Sequence, residues 1–200
     1  FAMLFNNLTG AIGYHRKGKL QIRVAILFSI FAAVGAIIGA LFVLKTKPTL
    51  LKQIIAFILI TEAVIIVFSR KKLGLKQILS FTKKHYVVGC GFGFLVGLYG
   101  GFIGMAMTSI IIFLLVLMFG FSFIRSAAIA KVITFVISLF ATIIFLANLK
   151  VDILIGVVLT ISYIVGAFLG VHSAIKMGNP KIKILFVLIV VASAVKLLFF

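Results

Sequence analysis

A lysine lies deep inside an apolar stretch of the chain, where an unpaired charge is costly. Lys131 follows Ser122, the expected start of a helix, by nine residues, which places it about 13 Å along that helix and near the membrane midplane. Thr134 and Ser138 follow at i+3 and i+7, so these polar side chains form one inward-facing stripe. Because a charge in hydrocarbon costs about 3 kcal/mol or more, Lys131 is predicted to bind an anion. The structural alternative is a lysine satisfied by backbone carbonyls at a helix break.

A second set of candidates follows a run of glycines. Gly100, Gly101 and Gly104 lie in a segment that is predicted to unwind, and Thr108 and Ser109 begin the next helix. Free backbone amides at a helix N-terminus favour an anion, and the hydroxyl groups could add donors. This segment and Lys131 together predict an anion site at midplane depth. The alternative is that the glycines serve helix packing alone.

The composition sets the class of protein that must position these residues. Of 200 residues, 64% are hydrophobic and 11% are charged, with a mean hydropathy of +1.41. A soluble surface needs far more charge, so the chain is predicted to be an all-α, polytopic membrane helix bundle in the cell membrane, with the lipid bilayer as its surroundings. The net charge of +18 is spread through short gaps between apolar runs, which argues against a nucleic-acid partner.

Apolar runs near the length needed to cross a bilayer follow one another along the chain. They cover residues 1–14 as a partial span, 20–44, 50–68, 86–120, 124–147, 151–175 and 183–200. The run 86–120 would be about 50 Å long as one helix, so it must fold back. Gly89, Gly93, Gly97 and Gly101 recur at every fourth residue, which lets another helix approach closely. We therefore predict a broken hairpin with arms of about 86–100 and 106–120.

Two parts of the chain resemble each other at an offset of 131 residues. Val34–Lys45 aligns with Val165–Lys176, with identities at five of twelve positions. Such repeats in membrane proteins indicate pseudo-symmetry. We predict a remnant of a first transmembrane repeat in residues 1–68, a basic connector in 69–85 and a second repeat in 86–200. The first-repeat counterparts of 86–131 would precede Phe1, so the sequence is expected to lack a first Gly-rich hairpin.

The distribution of cations predicts the orientation of the helices. If both arms of 86–120 cross the membrane, 14 loop cations fall on one side and 4 on the other. The more basic side is cytoplasmic by the positive-inside rule. This makes the repeats inverted and places the basic loop 69–85 in the cytoplasm.

Two further polar residues are candidates for the same site. Asn7 is the repeat partner of Ser138 and could form a second wall, with Asn6 beside it, although a helix–helix hydrogen bond explains one of the amides equally well. Glu62 is the one acid inside an apolar run and could couple protons or pair with Lys131, or serve as a structural residue near its helix end. Asp152 stands at a helix start, where a carboxylate suits the helix dipole.

Catalysis and metal binding find little support in the residue types. One cysteine, Cys90, precludes a disulfide within the chain, and three histidines with two acids give no ligand cluster. No nucleophile and base stand at helical spacing. We therefore expect no enzyme activity, no metal and no cofactor.

The segment from Ala128 to Lys183 carries a recognisable pattern. Lys131-Val132 follows Ala128, Val151-Asp152 opens the next helix, and Gly166-Ala167-Phe168-Leu169-Gly170 lies within it. This pattern resembles the TauE/SafE sulfite-exporter family, also called the toluene sulfonate uptake permease family, and the first half of the chain echoes it. Here Thr134 stands where that family has asparagine, and Met105 and Ala106 stand where it has glycines. The resemblance implies a multi-pass transporter, often for sulfur-containing anions.

These observations lead to one main hypothesis and two alternatives. The main hypothesis is a secondary carrier of a small anion such as sulfite or an organosulfonate, bound by Lys131 and the glycine-rich segment. The alternatives are a proton-coupled carrier of another small metabolite, which would depend on Glu62, and a non-transporting membrane subunit. The anion, the direction of transport and the oligomeric state are left open.

Overall fold

The structure is all-helical, as the composition predicts. A computed structural model describes residues 1–47, 50, 83–104, 107–148 and 152–199, which form helices and no strand. The helices are α1 (Ala2–Arg16), α2 (Ile22–Lys45), α3 (Lys83–Phe102), α4 (Met107–Phe119), α5 (Phe123–Ala147) and α6 (Ile153–Phe199). Nearly all of the predicted span 50–68 and of the connector 69–85 lies outside these residues.

Three of the described helices are long and apolar enough to cross a membrane. Ile22–Lys45 has 24 residues, Phe123–Ala147 has 25 and Ile153–Ile182 has 30, each with a mean hydropathy of 2.4 or more. At 1.5 Å per residue, each exceeds the roughly 30 Å of a hydrocarbon core. Large apolar side chains are exposed along these helices. The outer surface of the bundle is therefore suited to lipid rather than to water. The protein is therefore a multi-pass membrane protein.

Helices α3 and α4 form a hairpin at the glycine-rich segment. Gly104 has φ of +70°, a conformation that side-chain-bearing residues rarely adopt, and it ends the first arm. The ring centroids of Phe92, in the middle of α3, and Phe119, at the far end of α4, are 6.4 Å apart. Gly100 and Met107 are in contact at the near ends. The two arms therefore run in opposite directions.

The glycines at every fourth residue of α3 face α2. A Cβ atom on Gly97 would meet the carbonyl oxygen of Ala32, and one on Gly101 would meet that of Ala36. From the opposite side, a Cβ on Gly35 would meet the carbonyl oxygen of Phe94. The two backbones touch along this face, as small residues at a helix interface permit.

The central core lies where α2, α3, α4 and α5 meet. The Phe28 ring is 5.3 Å from that of Phe119 and 6.1 Å from that of Phe92, measured between centroids. Ile129 and Ile133 of α5 complete this cluster and are fully buried. This packing fixes one face of α5 and leaves another face for α1.

Helix α6 has a kink at the break expected between the apolar runs 151–175 and 183–200, and two helical segments meet there. It is helical throughout Ile153–Phe199 apart from Gly178, whose φ and ψ are 75° and 170°. Pro180 follows without an amide hydrogen, so the chain kinks but resumes helical geometry at once. Asn179 at this kink accepts a hydrogen bond of 3.1 Å from the amide of Ile124, next to the start of α5. The kink is therefore attached to the core.

Helix α1 packs between α5 and α6. Tyr14 near its end contacts Ile124 and Ala128 near the start of α5, together with Val171 of α6. Asn7, earlier in α1, bonds to Ser138, later in α5. Helices α1 and α5 therefore run antiparallel, and their shared surface contains the polar residues singled out in the sequence.

Candidate functional site

Lys131 is anchored on α5 and reaches across to α1. Ser122 caps α5 by accepting a hydrogen bond of 3.4 Å from the amide of Arg125, so the helix starts where the sequence predicts. The Lys131 ammonium donates to Asn6 Oδ1 at 2.5 Å and to Asn7 Oδ1 at 3.2 Å. Both acceptors are side-chain amides on the neighbouring helix. The structure therefore does not support the alternative in which backbone carbonyls are the partners of Lys131.

Asn7 connects the lysine to Ser138. Its Nδ2 donates to Ser138 Oγ at 3.2 Å, while its Oδ1 accepts from Lys131. Asn7 is only 3% exposed, so it needs these partners. The bond joins residues 131 apart, which is the offset of the sequence repeat. Lys131, Asn7 and Ser138 thus form one hydrogen-bonded cluster in which Asn7 links α1 to α5, and the role of Asn7 as a wall of a binding site stays a prediction.

A glycine of α1 accommodates the lysine stem. A Cβ atom on Gly10 would lie 2.8 Å from Cδ, 3.0 Å from Cε and 3.1 Å from Cγ of Lys131. These distances are shorter than ordinary carbon–carbon contacts of about 3.5 Å. The absence of a side chain at Gly10 therefore creates the groove along which the lysine crosses to Asn6 and Asn7.

Thr134 lies beside the cluster without bonding to it. Its hydroxyl donates within its own helix, to the Ala130 carbonyl at 2.8 Å, with the Lys131 carbonyl at 3.3 Å. The side chain is fully buried. Successive residues rotate by about 100°, so Thr134 sits between the face of Ser138 and the face of Ile137. A ligand-binding role would require its hydroxyl to change partners.

The glycine-rich segment meets α5 at the level of the polar cluster but on an adjacent face. A Cβ atom built on Gly100 would lie 2.9 Å from Cγ2 of Ile137, the residue before Ser138. Gly101 faces the α2 backbone, and Gly104 supplies the turn. Thr108 and Ser109, in the first turn of α4, are half-buried. Among the described residues, the ammonium of Lys131 bonds to α1 rather than to this segment.

The sequence pattern predicted Asn7 as a site residue and did not predict Asn6. Asn6 makes the shorter of the two hydrogen bonds to Lys131, and its Nδ2 is 3.5 Å from the Tyr163 carbonyl of α6. The available signal was the pair of adjacent amides in an apolar span. Adjacent residues point about 100° apart on a helix, so the sequence alone favoured one of them as site-facing.

The lysine has no carboxylate partner within the described residues. Asp152 is exposed and accepts a hydrogen bond of 3.0 Å from the amide of Ile155, which confirms its expected place at a helix start. Glu62, the proposed coupling residue, lies outside the described residues. Within the described ranges, no group of three or more His, Cys, Asp or Glu side chains could hold a metal ion. The site presents a cation with neutral amide partners, which suits an anionic ligand.

Comparison with known proteins identifies relatives over nearly the whole chain. Residues 1–197 match the protein family described as "Sulfite exporter TauE/SafE". The "Probable membrane transporter protein ORF9" of Sinorhizobium sp is 27% identical over 200 residues, covering 98% of this chain and 74% of that relative. No solved structure matches the chain.

Two further relatives carry similar names. A "Probable membrane transporter protein" of Haemophilus influenzae is 27% identical over 88% of this chain and 68% of its own length. The "Probable membrane transporter protein YdhB" of Bacillus subtilis is 26% identical over 90% of this chain and 73% of its own length. The family match and the apolar helices agree, and the chain belongs to the sulfite exporter TauE/SafE family of membrane transporters.

Proposed function

We propose that the protein is a secondary carrier of a small anion, with sulfite or an organosulfonate as the substrate class. The observation that carries the proposal is the Lys131 ammonium, held between α1 and α5 by two neutral amide oxygens. The family description supplies the chemical class, because sulfite is a small oxyanion. No catalytic step is part of this proposal.

The electrostatics of Lys131 favour an anion over a cation as its ligand. An ammonium has three N–H donors, and amides of Asn6 and Asn7 accept two hydrogen bonds from it. Amide oxygens carry only partial charge, so they compensate the lysine less than a carboxylate would. An oxyanion can take the third donor or displace an amide oxygen, forming a shorter, charge-assisted bond. A cation would instead meet repulsion that increases in a low-dielectric medium.

The surrounding groups can contribute to the same ligand. Ser138 and the Nδ2 groups of both asparagines can donate hydrogen bonds to an oxyanion once their present partners are released. Thr108 and Ser109 lie at the start of α4 and are candidates for a second contact as the helices move. We propose that the site alternates between the two sides of the cell membrane, with the basic loop 69–85 in the cytoplasm.

The test measures uptake of labelled sulfite into proteoliposomes, with sulfate and sulfoacetate as further anions and rubidium as the cation. Lys131→Gln should reduce sulfite flux at least about tenfold, because a charge-assisted bond contributes about 1.5–3 kcal/mol. Lys45→Gln is the matched control, since Lys45 is an exposed helix-end lysine. Equal sulfite flux in Lys131→Gln and the parent protein would refute the assignment.

A second variant separates an anion site from a merely structural lysine. Asn6→Asp keeps the side-chain shape but provides Lys131 with an internal carboxylate. If the lysine binds the transported anion, this variant should fold at least as stably as the parent and yet transport sulfite poorly. If it transports sulfite normally, or gains rubidium flux with no loss of stability, the anion-carrier proposal is wrong.

A further inference from the structure

A separate groove opens between α1 and α6, away from the lysine site. It encloses a cavity of about 740 Å³, a size typical of small-molecule sites. Thr9, Ile12, Gly13 and Arg16 line it from α1, at the spacing i, i+3, i+4 and i+7 of a single helix face. Asn6, Asn7 and Lys131 are not among the residues that line the groove. The groove is therefore distinct from the proposed substrate site.

The groove combines a cationic end with an apolar wall. Arg16 and Lys17 contribute cations from within and beside α1, and Lys176 contributes one from α6. Towards the membrane interior the wall is formed by apolar side chains, among them Ile12, 44% exposed, and Phe168, 67% exposed. A ligand that fits both parts has an anionic head and a hydrocarbon tail.

No described acid neutralises the cations of this groove. Asp152, the one acid that the described ranges contain, starts the same helix 24 residues before Lys176. At 1.5 Å per residue, the two lie about 36 Å apart along α6, at opposite ends of the membrane span. The groove therefore keeps a net positive charge in the part of the chain that the structure describes.

We propose that this groove binds the phosphate headgroup of an anionic phospholipid. Arg16 and Lys176 approach from opposite walls and contact the phosphate, and the acyl chain runs along Phe168. Basic pockets between transmembrane helices at the cytoplasmic side are suited to such headgroups. A free phosphate ion has no hydrocarbon part that could contact the exposed apolar wall. The wall therefore favours a membrane lipid.

The absence of tryptophan from the chain allows a direct test. Phe168→Trp places a single tryptophan on the groove wall, and Leu154→Trp, at a position 78% exposed at the N-terminal end of α6, is the matched control. Each variant is reconstituted in vesicles that mix phosphatidylcholine and phosphatidylglycerol, with bromine on the chains of one lipid or the other. Bromine quenches a tryptophan that it contacts, so the ratio of quenching measures lipid preference.

We expect brominated phosphatidylglycerol to quench the Phe168→Trp variant more strongly than brominated phosphatidylcholine, and the two lipids to quench the Leu154→Trp variant equally. Each cation near an anionic lipid contributes about fivefold in affinity, so removal of both Arg16 and Lys176 as glutamines should reduce the preference about 25-fold. Arg23→Gln with Lys45→Gln removes the same charge elsewhere and should leave the preference unchanged.

Three results would overturn the proposal. One is equal quenching of the Phe168→Trp variant by both lipids. This measurement uses no substitution of Arg16 or Lys176, so it does not depend on whether the charge variant folds. Another is an equal loss of preference in the Arg23 and Lys45 control pair, which would indicate a general effect of net charge. The last is displacement of the brominated lipid by millimolar inorganic phosphate, which would identify a free-anion site instead.

Discussion

Substitution of Gly10 by alanine tests whether the Lys131 stem is held by close packing against α1. The new Cβ would lie 2.8 Å from Lys131 Cδ, whereas ordinary contacts begin at about 3.5 Å. The stem must therefore move by about 0.7 Å. The hydrogen bond to Asn7, now 3.2 Å, would lengthen to about 3.9 Å, beyond the usual range.

The expected free-energy change follows from two opposing effects. Loss of one hydrogen bond to a charged group costs about 1.5–3 kcal/mol. Alanine in place of glycine within a helix stabilises it by about 0.8–1.0 kcal/mol. Gly10→Ala should therefore destabilise the protein by about 0.5–2 kcal/mol. At about 2–4 °C per kcal/mol for a chain of this length, Tm should fall by a few degrees.

A double-mutant cycle distinguishes this mechanism from a general effect of the substitution. In a Lys131→Ala background the stem is absent, so Gly10→Ala should become stabilising by about 1 kcal/mol. Thermal unfolding in detergent, followed by circular dichroism, measures both shifts. Gly91→Ala, where no atom lies within 4 Å of the added Cβ, should stabilise both backgrounds alike. A Gly10→Ala shift of the same sign and size in both backgrounds would refute the reasoning.

Three further predictions concern packing, capping and topology. Gly97→Leu should prevent stable folding, since its side chain would enter the α2 backbone, whereas Gly91→Leu should give a monodisperse protein by size-exclusion chromatography. Asp152→Ala should lower the unfolding free energy by about 0.5–2 kcal/mol by removing the acceptor for the Ile155 amide, and Asp152→Asn should restore most of it. Lys76→Cys should react with a membrane-impermeant thiol reagent only from the cytoplasmic side of oriented vesicles, and labelling from outside would contradict the predicted topology.

The sequence predicted the helical class and the start of the helix that carries the lysine, because both depend on local patterns. Apolar runs of membrane length predict helices, and Ser122 caps the helix of Lys131 as expected. The depth of Lys131 in the membrane stays a prediction. The fourth-residue spacing of Gly97 and Gly101 likewise predicted a face for close packing, and the structure places α2 there.

The partners of the lysine were less predictable because they depend on how α1 is rotated about its axis. Asn6 and Asn7 differ by about 100° in direction, and nothing local determines that both turn towards α5. No sequence pattern identified Gly10 as a contact of the lysine, because the Lys131 stem reaches it only across the helix interface. Thr134 matched the polar stripe in spacing, yet its hydroxyl bonds within its own helix.

The break within α6 was predicted from local signals, whereas its compact form was not. Gly178 and Pro180, with lysines around them, are typical of a loop between two spans. In the structure only Gly178 leaves helical geometry. Asn179, whose side chain holds the start of α5, favours this compact kink over an extended loop, and a contact of this kind joins residues 55 apart in sequence.

The glycine contact between α2 and α3 has a mechanical consequence. Two helices whose backbones touch cannot slide past each other without breaking many contacts at once, so relative sliding of α2 and α3 is costly. Helix α1 packs against both α5 and α6.

The bonds from Lys131 to Asn6 and Asn7 join α5 to α1. In the proposed function, an anion that binds the ammonium competes with these bonds, and by linkage any movement of α1 that breaks them strengthens binding of the anion. The proposal therefore couples the packing of α1 against α5 to the occupancy of one side chain.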